Sequence, residues 1–433
     1  MQEKIIGREG LIRGIGLVGA ALIVLNSVIG AGIFALPAEI AGRAGVLSPW
    51  LFLVCGLLVI TIVLTYSELA SYFRDTGGPV LYTTEAFGPL TGFSTGWIYF
   101  VSRMTAFAAN TTVLVTYLGS AWPDLAGGPG RAAAILIVGA ALTFANYVGV
   151  RDGVRMVGVL TFLKLTPLLL LVLLGLPYVS GDVLFPADLP RIADLGETTQ
   201  LLIYAFVGFE AATIIAGESS RPRRDLPRAL VTTVAATGLL YFLIVLVYIA
   251  VLPGSGSGEL TLVDLGRELA GPAGAVVITA TAVFSIGGNL ASNMLTVPRL
   301  TFALAERRLL PGWFGRVHAR FRTPGNSILF LGVLSTGFAL SGSFLWLAAA
   351  SSLTRLIVYV LCILALPVIR NKADAQARER AYRLKGGYLI PLVALVLSVW
   401  IAAHSTLYSW QVTGILLLVG LVLYWLARWQ RRV

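Results

Sequence analysis

Two stretches of this 433-residue chain place helix-breaking glycines inside apolar runs. One is Ile29-Gly30-Ala31-Gly32-Ile33-Phe34, followed by Pro37. The other is Tyr204-Ala205-Phe206-Val207-Gly208-Phe209-Glu210. A glycine inside a helix costs about 1 kcal/mol relative to alanine, so two glycines two apart mark a place where the chain can unwind. Unwinding exposes the amides and positive dipole end of the next half-helix, and the carbonyls that end the preceding one. Those amides can bind a carboxylate and those carbonyls an ammonium. Glycine suits the role because the ligand must touch the backbone itself. The chemistry expected is recognition of a zwitterionic α-amino acid; the competing reading is close packing between membrane helices, which single glycines also serve.

Ionisable side chains within apolar runs are costly and mark function by default. Lys164 lies in Leu160-Thr161-Phe162-Leu163-Lys164-Leu165-Thr166-Pro167, apolar on both sides. Burial penalises the charged form of a lysine, so this group can take up and release a proton during a cycle. Its other role would be structural, donating to the carbonyls of the broken helix. Arg103 stays charged and needs acceptors. Three fates are open to it: pairing with Glu210, holding helix carbonyls, or reading an acidic side chain, of which structural pairing is the commonest. Glu210 adjoins the second break and can itself carry a proton. Glu68, Glu218 and Arg355 are expected near helix ends or loops, making cytoplasmic pairs or caps.

The elements that position these residues follow from composition. The chain is 57% apolar and only 12% charged, with a mean hydropathy of +0.86. A bilayer core takes about 20 apolar residues per helical span. Twelve such runs occur, near 15–42, 48–73, 90–121, 131–149, 153–178, 196–217, 228–252, 272–305, 326–342, 344–368, 386–404 and 410–428. The fold class expected is an all-α polytopic membrane protein of twelve transmembrane helices, in a single domain spanning 1–433. Lysines and arginines set the orientation. With the N-terminus inside, only Arg43, Arg131, Arg191 and Arg267 fall outside. Arg103, Lys164 and Arg355 lie within spans, and all the other Lys and Arg residues lie inside. The outer loops are acidic instead, with Asp182, Asp188, Asp194 and Glu197 in one and Glu259, Asp264 and Glu268 in another. Both termini are therefore expected in the cytoplasm. The glycine-broken spans are numbers one and six, which run in opposite directions. Two five-helix units, about 15–178 and 196–368, then form an inverted repeat of the kind found in secondary transporters, with two further helices at about 386–428.

The same features exclude other classes. The net charge of +11 is a topology signal, so no nucleic-acid partner is expected. No phosphate-binding G-x-x-x-x-G-K-[ST] loop occurs. The two histidines, His318 and His404, sit in different loops on opposite sides, so no metal site, cofactor or enzyme chemistry is expected. Cys55 and Cys362 lie in apolar runs as small core hydrophobes. A channel needs a ring of charges or a carbonyl filter, and neither is evident.

The stretch Asn26-Ser27-Val28-Ile29-Gly30-Ala31-Gly32-Ile33-Phe34 resembles the first-helix signature of amino-acid permeases in the amino acid–polyamine–organocation superfamily. Ser67-Glu68-Leu69-Ala70 with Gly77-Gly78-Pro79, Asn146 to Arg151, Gly208-Phe209-Glu210 through Glu218, Pro222 and Pro227, and Pro298-Arg299 through Leu310-Pro311 and Thr323-Pro324 agree with it in order and spacing. The resemblance runs from about residue 14 to 370. It implies a five-plus-five inverted repeat with discontinuous first and sixth helices. It also implies that Gly30, Ala31 and Gly32 bind a substrate carboxylate through their amides. The carbonyls of Val28, Val207 and Tyr204 would receive the ammonium, and Ser27 and Gly208 count with this group. Tyr204 would be an aromatic gate, or else a core aromatic. Ser102, Arg103, Phe107, Asn110 and Asn293 match positions facing the substrate side chain. Lys164 resembles the fifth-helix lysine that stands where sodium-dependent relatives bind sodium, with Ser285 and Asn289 as neighbours. The loop 119–131 holds no cysteine, so no disulfide-linked accessory subunit is expected.

The function expected from these features is secondary active transport of L-α-amino acids by alternating access with proton symport, with amino-acid exchange as the alternative and a channel as the alternative from another class. A neutral side chain fits the mix of Tyr204, Phe107, Ala31, Asn110 and Asn293, and Arg103 argues against a cationic one. The excess of arginine over lysine points to a GC-rich bacterial source, hence an inner membrane.

Overall fold

The computed structural model describes residues 16–73, 77–149, 153–185, 192–214, 222–252, 260–374, 381–384 and 386–430. Glu218, Arg151, Arg191, Asp188 and Glu259 lie outside them, as does the side chain of Asp194. The described residues are helical and contain no strand. In chain order the helices are α1 Leu17–Val28, α2 Gly32–Ala44, α3 Ser48–Tyr72, α4 Pro79–Phe87, α5 Pro89–Ala121, α6 Gly128–Val148, α7 Gly153–Gly175, α8 Gly181–Leu184, α9 Ile192–Phe206, α10 Ala211–Ile214, α11 Pro222–Val251, α12 Leu262–Glu306, α13 Gly325–Ser341, α14 Phe344–Lys372, then α15 Leu389–Ala403 and α16 Leu407–Trp429.

By length and composition, eight helical segments among the described residues can cross a membrane, which makes this a helical multi-pass membrane protein. One of the eight is Gly32–Tyr72, 41 residues long. At 1.5 Å per residue it would reach about 60 Å, twice a bilayer core. It is two helices, α2 and α3, joined through a single 3-10 turn, Gly45–Leu47. The shorter apolar helices Leu17–Val28, Gly325–Ser341 and Leu389–Ala403 fall below the length threshold.

Both expected interruptions are present. Helix α1 stops at Val28, Ile29–Ala31 leave the helical path, and α2 resumes at Gly32. Helix α9 stops at Phe206, four turn residues follow, and α10 begins at Ala211. Helix α12 is kinked at Ala270 and Gly271, where Gly271 takes φ +64°. The kink separates an N-terminal segment, capped reciprocally by Thr261 and Asp264, from a stretch starting at Pro272. This corresponds to the start expected for the eighth span.

The core runs through the middle of the bundle. Helix α5 is buried through a full span length, whereas α6 and α16 are mostly exposed. Helix α3 lies along α11 with Gly56 facing Gly238, the close approach that small residues permit between membrane helices. Glu68 is not a simple surface pair. It is buried, holds both sides of the Arg370 guanidinium at 2.7 and 2.8 Å, and accepts from the Leu384 amide at 3.0 Å. Cys55 and Cys362 are free and buried.

Candidate functional site

The two interruptions meet. A Cβ on Gly32 would stand 2.7 Å from the Cα of Ala205, so α2 starts directly against α9. Gly208 takes φ +119°, and a Cβ there would run into the Ser27 carbonyl oxygen. Only glycine satisfies both the backbone geometry and the space at Gly208. The local hydrogen bonding explains why the helices stop. In an unbroken helix the Gly208 amide would reach the Tyr204 carbonyl; instead it donates to Glu210 Oε2 at 3.1 Å. The Gly30 amide turns back to the Val28 carbonyl at 2.9 Å, and α2 restarts with Phe34 and Ala35 donating to the Ala31 carbonyl. The break therefore leaves first-turn amides of α2 and the Tyr204 carbonyl outside the regular ladder.

Val28 departs from its expected part. Its carbonyl already accepts from Gly30 and, at 3.4 Å, from the Tyr241 hydroxyl. With two lone pairs, it is the least available of the carbonyls assigned to an ammonium.

Lys164 reaches the break from α7. It is fully buried, and its Nζ donates to the carbonyls of Asn26 at 3.2 Å and Ile29 at 3.0 Å. Ser285 Oγ donates to the same Ile29 carbonyl at 3.3 Å, and Asn289 Nδ2 to those of Ser27 at 3.2 Å and Asn26 at 3.5 Å. Residues from α7 and α12 thus hold the carbonyl end of α1, and both neighbours named for Lys164 share its acceptors. Asn289 in turn accepts from Asn110 Nδ2 at 2.9 Å, and Asn110 Oδ1 accepts from the Tyr204 hydroxyl at 2.6 Å. A Cβ on Gly30 would meet Asn289 at 3.3 Å. A continuous polar chain therefore links the first break, α12, α5 and Tyr204 on α9, and Tyr204 packs edge-to-face on Phe344.

The arginines are arranged differently from expectation. Glu210 pairs with Arg355, not with Arg103. Arg355 is fully buried within α14, where it was expected near a helix end. Its Nε donates to Ser102 Oγ at 2.9 Å and its guanidinium lies over the Tyr99 ring at 4.8 Å. Tyr359, one turn along α14, donates to Glu210 Oε2 at 3.2 Å. Sequence reasoning missed this partner, although the apolar run around Arg355 carried the same signal as that around Lys164. Ser102 is likewise engaged: it donates to the Ser351 carbonyl at 2.9 Å while accepting from Arg355, which leaves no hydrogen for a substrate. Phe107 is wholly buried in the core rather than facing a cavity. Arg103 donates from Nε to Asn293 Oδ1 at 3.1 Å, and Asn293 Nδ2 donates back to the Arg103 carbonyl at 3.1 Å.

The chain is similar to known proteins along nearly its whole length. The chain is 28% identical to the serine/threonine exchanger SteT of Bacillus subtilis over 95% of each chain. It is 26% identical to the branched-chain amino acid permease BcaP of the same organism, over 97% of this chain and 94% of that one. It is 24% identical to the methylthioribose transporter of B. subtilis, over 96% and 94%. These relatives are named an exchanger, a permease and a transporter. The amino acid permease family matches residues 15–421, nearly the whole length, and the chain belongs to that family.

Proposed function

We propose that the protein is a secondary active transporter that carries L-α-amino acids across a bacterial inner membrane by alternating access, with proton symport. The chain then crosses twelve times, both termini cytoplasmic. Helices α1 with α2 form the first span and α9 with α10 the sixth. Spans one to five and six to ten are inverted repeats of a single transport domain, and α15 and α16 complete it. The substrate carboxylate binds the amides of Ala31 and Gly32, and that of Gly30 once it leaves the Val28 carbonyl. Its ammonium binds the carbonyls of Tyr204 and Val207, beside Ser27 and Gly208.

The observation that carries the coupling is the placement of Lys164 against the Asn26 and Ile29 carbonyls. A protonated lysine supplies a positive charge and three donors where the helix end presents acceptors. Loss of the proton weakens that clamp and frees α1 to move relative to α7 and α12. Low external pH favours the clamped state and high internal pH its release, so transport runs inward with the proton gradient and needs no sodium.

Similarity to a serine/threonine exchanger favours a second reading, obligatory amino-acid exchange on the same site. Reconstitution in proteoliposomes separates them. A symporter accumulates tracer amino acid from an imposed pH gradient with nothing inside; an exchanger takes up tracer only when amino acid is present on the far side. Uptake that neither saturates nor shows counterflow would show a channel and end both readings.

A further inference from the structure

We infer that the substrate's side chain is acidic and that Arg103 reads its carboxylate. This rests on the amino-acid transport reading and narrows it, away from the neutral side chain that the mix of Tyr204, Phe107, Ala31, Asn110 and Asn293 suggested.

Arg103 and Arg355 are both buried cations, and Arg355 bonds Ser102, the residue next to Arg103 on α5. Glu210 is the carboxylate that Arg355 holds. Among the described residues no carboxylate pairs with Arg103. Its Nε is fixed by Asn293 and the outer nitrogens of its guanidinium bond to nothing else. A guanidinium cannot escape by losing its proton, and a buried one without a counterion is costly. Arg103 is nonetheless not sealed in: 8% of its surface is exposed, while Arg355 shows none. Two cations against one carboxylate leave room for one further anion, and the accessible cation is Arg103.

Position supplies the rest. Asn293, which orients Arg103, lies about one helical turn from Asn289 on α12, a rise of about 6 Å. Asn289 lies against Gly30, where the α-carboxylate would bind. A ligand with its α-carboxylate on the break amides and a second carboxylate one turn away fits aspartate or glutamate. The forked guanidinium then accepts that group in the two-point geometry arginine favours. Asn293 is a positioning residue, because it fixes the Nε edge and leaves the other edge for the ligand.

The test compares acids with their near-isosteric amides. Native protein in proteoliposomes loaded with mixed amino acids is assayed for counterflow of labelled glutamate, glutamine, serine and leucine, with aspartate and asparagine as competitors. The acids should act at concentrations about tenfold or more below their amides, the scale of one charge-assisted pair. Arg103→Gln should erase that preference, and Arg103→Lys should restore part of it. If the amides or leucine are preferred in the native protein while counterflow is intact, the acidic assignment is wrong and the transport reading stands. Absence of counterflow with every amino acid would overturn both. The native acid-to-amide ratio decides the matter even if the Arg103 variants fail to fold.

Discussion

Gly32 on the first interrupted segment stands so close to Ala205 on the second that a single added carbon would lie 2.7 Å from the Ala205 backbone. Two breaks far apart in sequence are thereby one structural feature.

Substitution at the junction should grade with what the new atoms meet. Gly32→Val forces α2 away from α9 backbone, and substrate binding should be lost while the protein still reaches the membrane. Gly30→Ala meets only the Asn289 side chain at 3.3 Å. It should weaken binding by about tenfold, equivalent to about 1.4 kcal/mol. Equilibrium binding to purified protein measures both. Normal affinity in Gly32→Val would remove the first break from the site.

The Tyr204 hydroxyl ties the second break to Asn110 at 2.6 Å. Tyr204→Phe keeps the ring against Phe344 and removes one hydrogen bond, worth about 1 kcal/mol net. Affinity should fall by about fivefold with thermal stability nearly unchanged. A binding curve and a melting curve on the same preparation test this.

The Arg355–Glu210 pair should show the asymmetry of buried ion pairs. Removing one partner leaves a charge stranded in the core and costs about 3–5 kcal/mol, whereas removing both can be close to neutral. Arg355→Met and Glu210→Gln should each lower the melting temperature markedly. The double variant should recover most of the loss. Additive losses would mean that the two residues do not act as a pair.

Much of this arrangement is legible in the sequence, for identifiable reasons. The breaks show because glycines two apart are conspicuous in an apolar helix, and Lys164 because a charge in such a run has few uses. The kink in α12 falls at Gly271, just before the apolar run expected to begin at residue 272. Partner choice is less visible. Arg103 and Arg355 are each one cation in an apolar stretch, and nothing local says which of them Glu210 will meet; only the packing of α5, α10 and α14 decides it. Ser102 fails as a side-chain reader for the same reason, because its partners Ser351 and Arg355 lie far along the chain. Glu68 looked like a helix-end residue, yet it binds Arg370 across the bundle.

The central claim is that Lys164, held on the Asn26 and Ile29 carbonyls, couples proton movement to amino-acid movement. Its most direct test is accumulation in sodium-free proteoliposomes with the outside acidified, comparing native protein with Lys164→Gln. The native protein should accumulate substrate, faster as external pH falls, and sodium should add nothing. Lys164→Gln should still bind substrate and catalyse counterflow, because the α-carboxylate and α-ammonium contacts belong to other residues, but should not accumulate. Intact gradient-driven accumulation in Lys164→Gln would contradict the assignment and move the proton to Glu210, and a sodium requirement in the native protein would contradict proton coupling itself.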